Sequence, residues 1–158
     1  MEFDIDRIEE ILGYIFKNKE LLKQSFTRRS YSVENSGENN EVLEFIGDNV
    51  LDMVVVKNLT GVFDSGISQG QFKSLYNENA LTELKKKLVE RKKLARRIEE
   101  LDLAKYLIMG KGEIKNNAQE EVSVKEDLFE AIIGGVALDT AWDFCKIEKV
   151  VKNLLSIN

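Results

Sequence analysis

The run Glu41-Val42-Leu43-Glu44-Phe45-Ile46-Gly47-Asp48-Asn49-Val50-Leu51 sets carboxylates among apolar residues. Wound into a helix, Glu41, Glu44 and Asp48 share one stripe, because residues three, four and seven apart fall on the same side. Leu43, Ile46, Val50, Met53 and Val54 lie opposite the acids, and Leu51 and Val55 flank them. A helix apolar over so much of its circumference is predicted to be mostly buried from about Glu41 to Leu59, with its acids enclosed. Asp52 extends the acidic stripe by one turn. This periodicity, the absence of proline and the scarcity of two-residue alternation together predict an all-α protein.

Asp127-Leu128-Phe129-Glu130-Ala131, about eighty residues further on, repeats the theme. Asp127 and Glu130 are three apart and project from one side of a second helix, predicted to run from near Asn117 or Ser123 to about Leu138. Like charges at these spacings repel by a few tenths of a kcal/mol per pair on an isolated helix. Two such stripes facing each other need a strong counter-charge, and a divalent cation supplies it. Gly134-Gly135 sits inside the same helix, where each glycine costs roughly 1 kcal/mol relative to alanine. Gly134 shares the side of Asp127 and Glu130, so its missing side chain lets a neighbouring helix approach closely beside the acids.

The absences are informative. With no histidine there is no Ser-His-Asp triad, Cys-His pair or His-ligated metal, and one cysteine makes no thiolate zinc site. No glycine-rich phosphate cradle of the nucleotide-binding type occurs. Carboxylate oxygen remains, which suits magnesium or manganese. No apolar run approaches the roughly 20 residues of a membrane span, and the acidic start, Met1 to Asp6, is unlike a signal or transit peptide. A cytoplasmic protein without a membrane partner is expected. Cys145, in Trp142-Asp143-Phe144-Cys145, reads as core packing.

A length of 158 residues suits a single domain over 1–158. Asp4 or Asp6 starts a short helix through Leu12, and Asn18 starts another over Lys19 to Phe26. Arg28 to Asn40 is polar, with a loop signal at Asn35-Ser36-Gly37. Gly61 to Gly70, and Gly110 to Glu120, also read as loops. Glu78 to Leu101 is helical in two pieces and holds the concentrated basic segment from Lys85 to Arg97. That segment is either a solvated amphipathic surface or one that meets phosphates. A last helix covers about Lys146 to Leu155.

The Glu41–Leu51 run closely resembles the signature of ribonuclease III catalytic domains. Leu21 to Tyr31, Leu101 to Leu107 with Gly110-Lys111-Gly112-Glu113, and Asp127 to Gly134 resemble further segments of that family in the same order. The resemblance covers nearly the whole chain. It implies the all-helical ribonuclease III endonuclease-domain fold, a helical bundle forming a homodimer. It also implies divalent-metal-dependent hydrolysis of double-stranded RNA that leaves short 3′ overhangs. By motif position, Glu44, Asp48, Asp127 and Glu130 correspond to the metal ligands, for Mg2+ with Mn2+ as a substitute. Glu41 corresponds to a further acid near the scissile strand, and Phe45 to an aromatic at the dimer interface. Glu78 matches another acid less securely.

The double-stranded-RNA-binding domain that usually follows in the family has no counterpart in these 158 residues, and the net charge is −5. Weak, salt-sensitive RNA binding is therefore expected unless a separate RNA-binding partner helps. The alternative is a catalytically silent scaffold of the same fold, bound to structured RNA or the ribosome.

Overall fold

A computed structural model describes residues 3–61 and 71–157. Nine α-helices occur among them: α1 (Ile5–Leu12), α2 (Lys19–Ser25), α3 (Arg29–Asn35), α4 (Glu41–Thr60), α5 (Glu78–Leu88), α6 (Arg91–Glu100), α7 (Lys111–Lys115), α8 (Val122–Asp139) and α9 (Phe144–Leu155). Two 3-10 turns, Ala104–Tyr106 and Ala118–Glu120, flank α7. The described residues hold no strand, only an isolated bridge between Thr27 and Ile108. The fold is all-α. None of the described helices is long and apolar enough to cross a membrane.

Short polar side chains begin several helices by accepting hydrogen bonds from otherwise unpaired backbone N–H groups. Asp4 accepts from Arg7 N, Asn18 from Glu20 N and Leu21 N, Asn77 from Ala80 N, and Asp143 from Lys146 N. Gly13 and Gly61 end α1 and α4 with φ of 64° and 61°, a left-handed conformation that glycine adopts without steric cost.

α4 and α8 are the central pair, and α8 is further wrapped by α6, α2 and α9. Leu128, Phe129, Ile132, Ile133, Val136 and Ala137 of α8 are fully buried, as are Val54 and Val55 of α4. Burying each larger apolar side chain contributes about 1.5–3 kcal/mol. At the end of α8, Asp139 accepts from Tyr14 Oη (2.7 Å), Lys17 N (2.8 Å) and Asn18 N (2.9 Å), fastening the α1–α2 connection.

α4 meets α8 through reciprocal glycines. A Cβ on Gly134 would lie 1.9 Å from Leu43 O, and one on Gly47 would lie 1.7 Å from Glu130 O. The close approach expected at Gly134 is present, and Gly47 provides its other half.

Several expectations need correction. Gly110 to Glu120 contains α7 and a 3-10 turn rather than a loop, whereas the loop signal at Asn35-Ser36-Gly37 falls where α3, itself not anticipated, ends. α8 starts at Val122, after Glu121, while Asn117 (φ 53°) precedes the 3-10 turn. Cys145 is exposed, not packed in the core. Met53 does not join the buried side of α4, being 58 % exposed. Apart from Gly61, the loop expected over 61–70 lies outside the described residues.

Candidate metal centre and its surroundings

Because Gly47 and Gly134 let two backbones touch, the acids of α4 and α8 are brought together from sequence positions about eighty residues apart. Glu130 feels the charges of acids on both helices. Burial, followed by the charges of Asp48, Glu126, Glu44 and Asp127, pushes its carboxyl up to about 8. Burial also raises Glu44, with Asp127 and Glu41 adding to the shift and Arg28 opposing it. Both shifts have one physical origin: a negative charge is costly when desolvated beside other negative charges.

The acids are less enclosed than expected. Glu41 and Asp48 are exposed, and Glu44, Asp127 and Glu130 are half-buried. This follows from a bare strip along α4, where Val42, Phe45, Met53 and Val56 are 67 %, 72 %, 58 % and 46 % exposed. Glu41 faces Arg29 at 3.4 Å across the surface. Asp52 pairs with Lys85 and so joins α4 to α5. Glu78 is the exposed first residue of α5 and is not among the main charges that raise Glu130 or Glu44.

Sequence reasoning missed three members of this neighbourhood. Arg28 donates from Nη1 to Asp127 Oδ2 (2.8 Å) and from Nη2 to Glu113 Oε1 (3.2 Å). Glu126, next to Asp127, is held by Arg91 Nε at 2.5 Å, and burial raises its carboxyl against the lowering effect of Arg91. Arg28 and Glu113 both fall in segments that carried the family resemblance, but only their long-range contacts disclose what they touch. Glu126 had a local signal, its place beside Asp127 at the start of a mostly apolar helix.

The donor set suits a hard divalent ion, which prefers carboxylate oxygens. Such an ion would offset both the burial and the neighbouring charges that raise Glu130. As placed, no three acidic side chains among the described residues converge closely enough to form a finished cage. Repelling carboxylates that lack a shared counter-charge have reason to stand apart, and Asp127 is engaged by Arg28.

A family model described as Ribonuclease-III-like matches residues 18–156. The chain belongs to the ribonuclease-III-like family. It is 48 % identical to Ribonuclease 3 of Roseburia hominis, over 98 % of this chain and 47 % of the relative. Identity to Ribonuclease 3 of Treponema succinifaciens is 45 %, over 98 % of this chain and 42 % of the relative. The chain thus spans about half the length of these relatives. Two solved structures of the nuclease domain of Campylobacter jejuni ribonuclease III are similar at 32 % identity. One aligns with a TM-score of 0.75, covering 96 % of this chain and 95 % of that one. The other gives 0.78, covering 98 % and 100 %, and is described as flexible in a region involved in dimer formation. Membership of this family agrees with the resemblance seen in the sequence.

Proposed function

We propose that the chain is a single endonuclease domain over 1–158 that hydrolyses phosphodiester bonds in double-stranded RNA with a divalent metal, leaving short 3′ overhangs. The observation that carries this reading is the close packing of α4 on α8 at Gly47 and Gly134, which sets acids of both helices near enough to Glu130 that burial and their charges raise its carboxyl to about 8. Glu44, Asp48, Asp127 and Glu130 are the proposed ligands of Mg2+, with Mn2+ able to substitute. When bound, the ion lowers the pKa of a coordinated water and offsets charge on the phosphate. Glu41 lies on the exposed side of the same stripe, where it is available to a scissile strand. The chemistry needs no histidine, and the chain has none.

Two copies are proposed to pair through the bare apolar strip of α4, with Phe45 as its most exposed member at 72 %. A net charge of −5 opposes capture of a polyanion. A separate RNA-binding partner, or a longer chain such as the relatives possess, would supply the missing affinity. The cytoplasm is the proposed location.

The test is cleavage of a labelled RNA duplex in low salt with magnesium, beside Glu130→Gln and a chelator control. Activity abolished in both controls supports the proposal. Cleavage that survives chelation overturns it, and duplex binding by wild type without cleavage points instead to an RNA-binding scaffold.

A further inference from the structure

The four acids that Glu44, Asp48, Asp127 and Glu130 contribute are not equally held. Asp127 alone among them is gripped by a cation, Arg28, within the described contacts. Arg28 is itself fixed at both ends. Its backbone N–H donates to Ile108 O at 2.8 Å, and Ile108 N donates to Phe26 O at 2.9 Å. Its guanidinium is clasped from behind by Glu113 Oε1, which accepts from Nε (3.3 Å) and Nη2 (3.2 Å). Glu113 Oε2 accepts from Ser30 Oγ at 2.6 Å, and Ser30 Oγ accepts from Gly110 N at 2.9 Å. The Arg28 side chain is 18 % exposed and that of Glu113 is 25 % exposed. A connected hydrogen-bond network therefore links a backbone amide to the carboxylate of a proposed metal ligand, with Glu113 accepting from Ser30 on one side and from Arg28 on the other.

We infer that Arg28 is a positioning residue that orients Asp127 for metal, and that Glu113 and Ser30 act by holding Arg28. The inference rests on the metal reading above. A planar guanidinium grips two carboxylates in a fixed fork, which an ammonium cannot reproduce with the same geometry. Outer partners that orient a metal ligand typically change metal affinity by 10–100-fold when altered. Arg28 sits one bond outside Asp127, so it belongs to that group by geometry. One oxygen of Asp127, Oδ2, is taken by Arg28 Nη1, which leaves Oδ1 as the atom to be aimed.

The test is Mn2+ binding to the whole chain without RNA, by calorimetry and electron paramagnetic resonance, in wild type, Arg28→Lys, Glu113→Gln and Ser30→Ala. Melting in chelator establishes that each variant is folded. Arg28→Lys keeps the charge, and Ser30→Ala keeps every charge, so orientation is separated from simple electrostatics. Arg28→Lys and Glu113→Gln are each expected to weaken binding by about ten-fold and to alter the Mn2+ spectrum. Ser30→Ala shifts binding in the same direction by less. The double variant is expected to lose little more than either single one, because both act through one chain.

Wild-type or tighter affinity in Arg28→Lys and Glu113→Gln overturns the inference, provided that Glu130→Gln abolishes the wild-type binding. In that case the metal reading stands alone. If wild type takes up no Mn2+, the metal reading fails and the role of Arg28 fails with it.

Discussion

A Cβ placed on Gly47 would lie 1.7 Å from the backbone oxygen of Glu130, and 2.9 Å from the nitrogen of Gly134. Real Cβ atoms do not approach backbone this closely, so α4 and α8 can meet here only while position 47 lacks a side chain. The residue that permits the helix crossing thus lies beside the acids that the crossing assembles. Gly47 directly precedes Asp48, and Gly134 follows Glu130 by one helical turn.

Gly47→Ala is expected to destabilise the fold by about 3 kcal/mol, the upper part of the range for overpacking, because the clash is with backbone rather than with a yielding side chain. The urea midpoint measures this. A midpoint unchanged from wild type would mean that the helices separate without cost and that the crossing does not fix the site.

Glu130 gives a stability signature in metal-free buffer. Its carboxyl ordinarily titrates near 4.5 and is pushed up to about 8 by burial and by the charges of Asp48, Glu126, Glu44 and Asp127. Between those values the folded state keeps a proton that the unfolded state has released. The contribution of this group to stability therefore falls as pH rises from 4.5 to 8, then levels off. Glu130→Gln cannot ionise, so its melting temperature should exceed that of wild type by a margin that widens across this window. Parallel melting curves for the two proteins would contradict the shift.

Metal binding should carry the opposite slope. An ion that takes Glu130 as a ligand must displace its proton, so apparent Mn2+ affinity rises by up to about ten-fold per pH unit below the raised pKa. Titrations at two pH values in buffers of different ionisation enthalpy report both the affinity and the proton released. Affinity independent of pH would remove Glu130 from the ligand set.

Replacing Glu130 by glutamine should also lower duplex cleavage by about 100-fold or more, since even outer partners of a metal ligand can cost that much. Initial rates at saturating magnesium decide the matter. Near-normal turnover by Glu130→Gln would leave the proposed ligand set without its central member.

Phe45 is expected to anchor self-association. Truncating an aromatic anchor at the centre of an interface costs about 2 kcal/mol or more, roughly a thirty-fold rise in the dimer dissociation constant. Sedimentation of Phe45→Ala against wild type tests this. Identical concentration dependence would move the interface off α4.

What could be read from the sequence followed the strength of local periodicity. α4 and α8 were visible because their apolar repeats are long and their acids recur at helical spacing. α3 was hidden, since Arg29 to Asn35 is polar and its surroundings decide its state. Ser32 is buried there, and Glu34 accepts from Lys111 N at 2.9 Å. Enclosure of the acids was overestimated because apolar composition does not distinguish a core-facing strip from a bare one. Met53 and Val54 are neighbours, yet one is 58 % exposed and the other fully buried. The grip of Arg28 on Asp127 joins residues 99 apart and leaves no trace in local pattern. Cys145 is different. It lies opposite the α9 stripe of Ile147, Val150, Val151 and Leu154, so periodicity could have placed it at the surface.

The exposure of Cys145 has a practical consequence for any study of assembly. A single accessible thiol gives each molecule one oxidisable handle, and air or peroxide can join two molecules through it in a covalent bond unrelated to the α4 strip. Preparations stored without reductant will contain species of doubled mass that no dilution dissociates. Cys145→Ser removes that confusion, and the native thiol, once labelled with a dye or a nitroxide, marks every molecule at one known position.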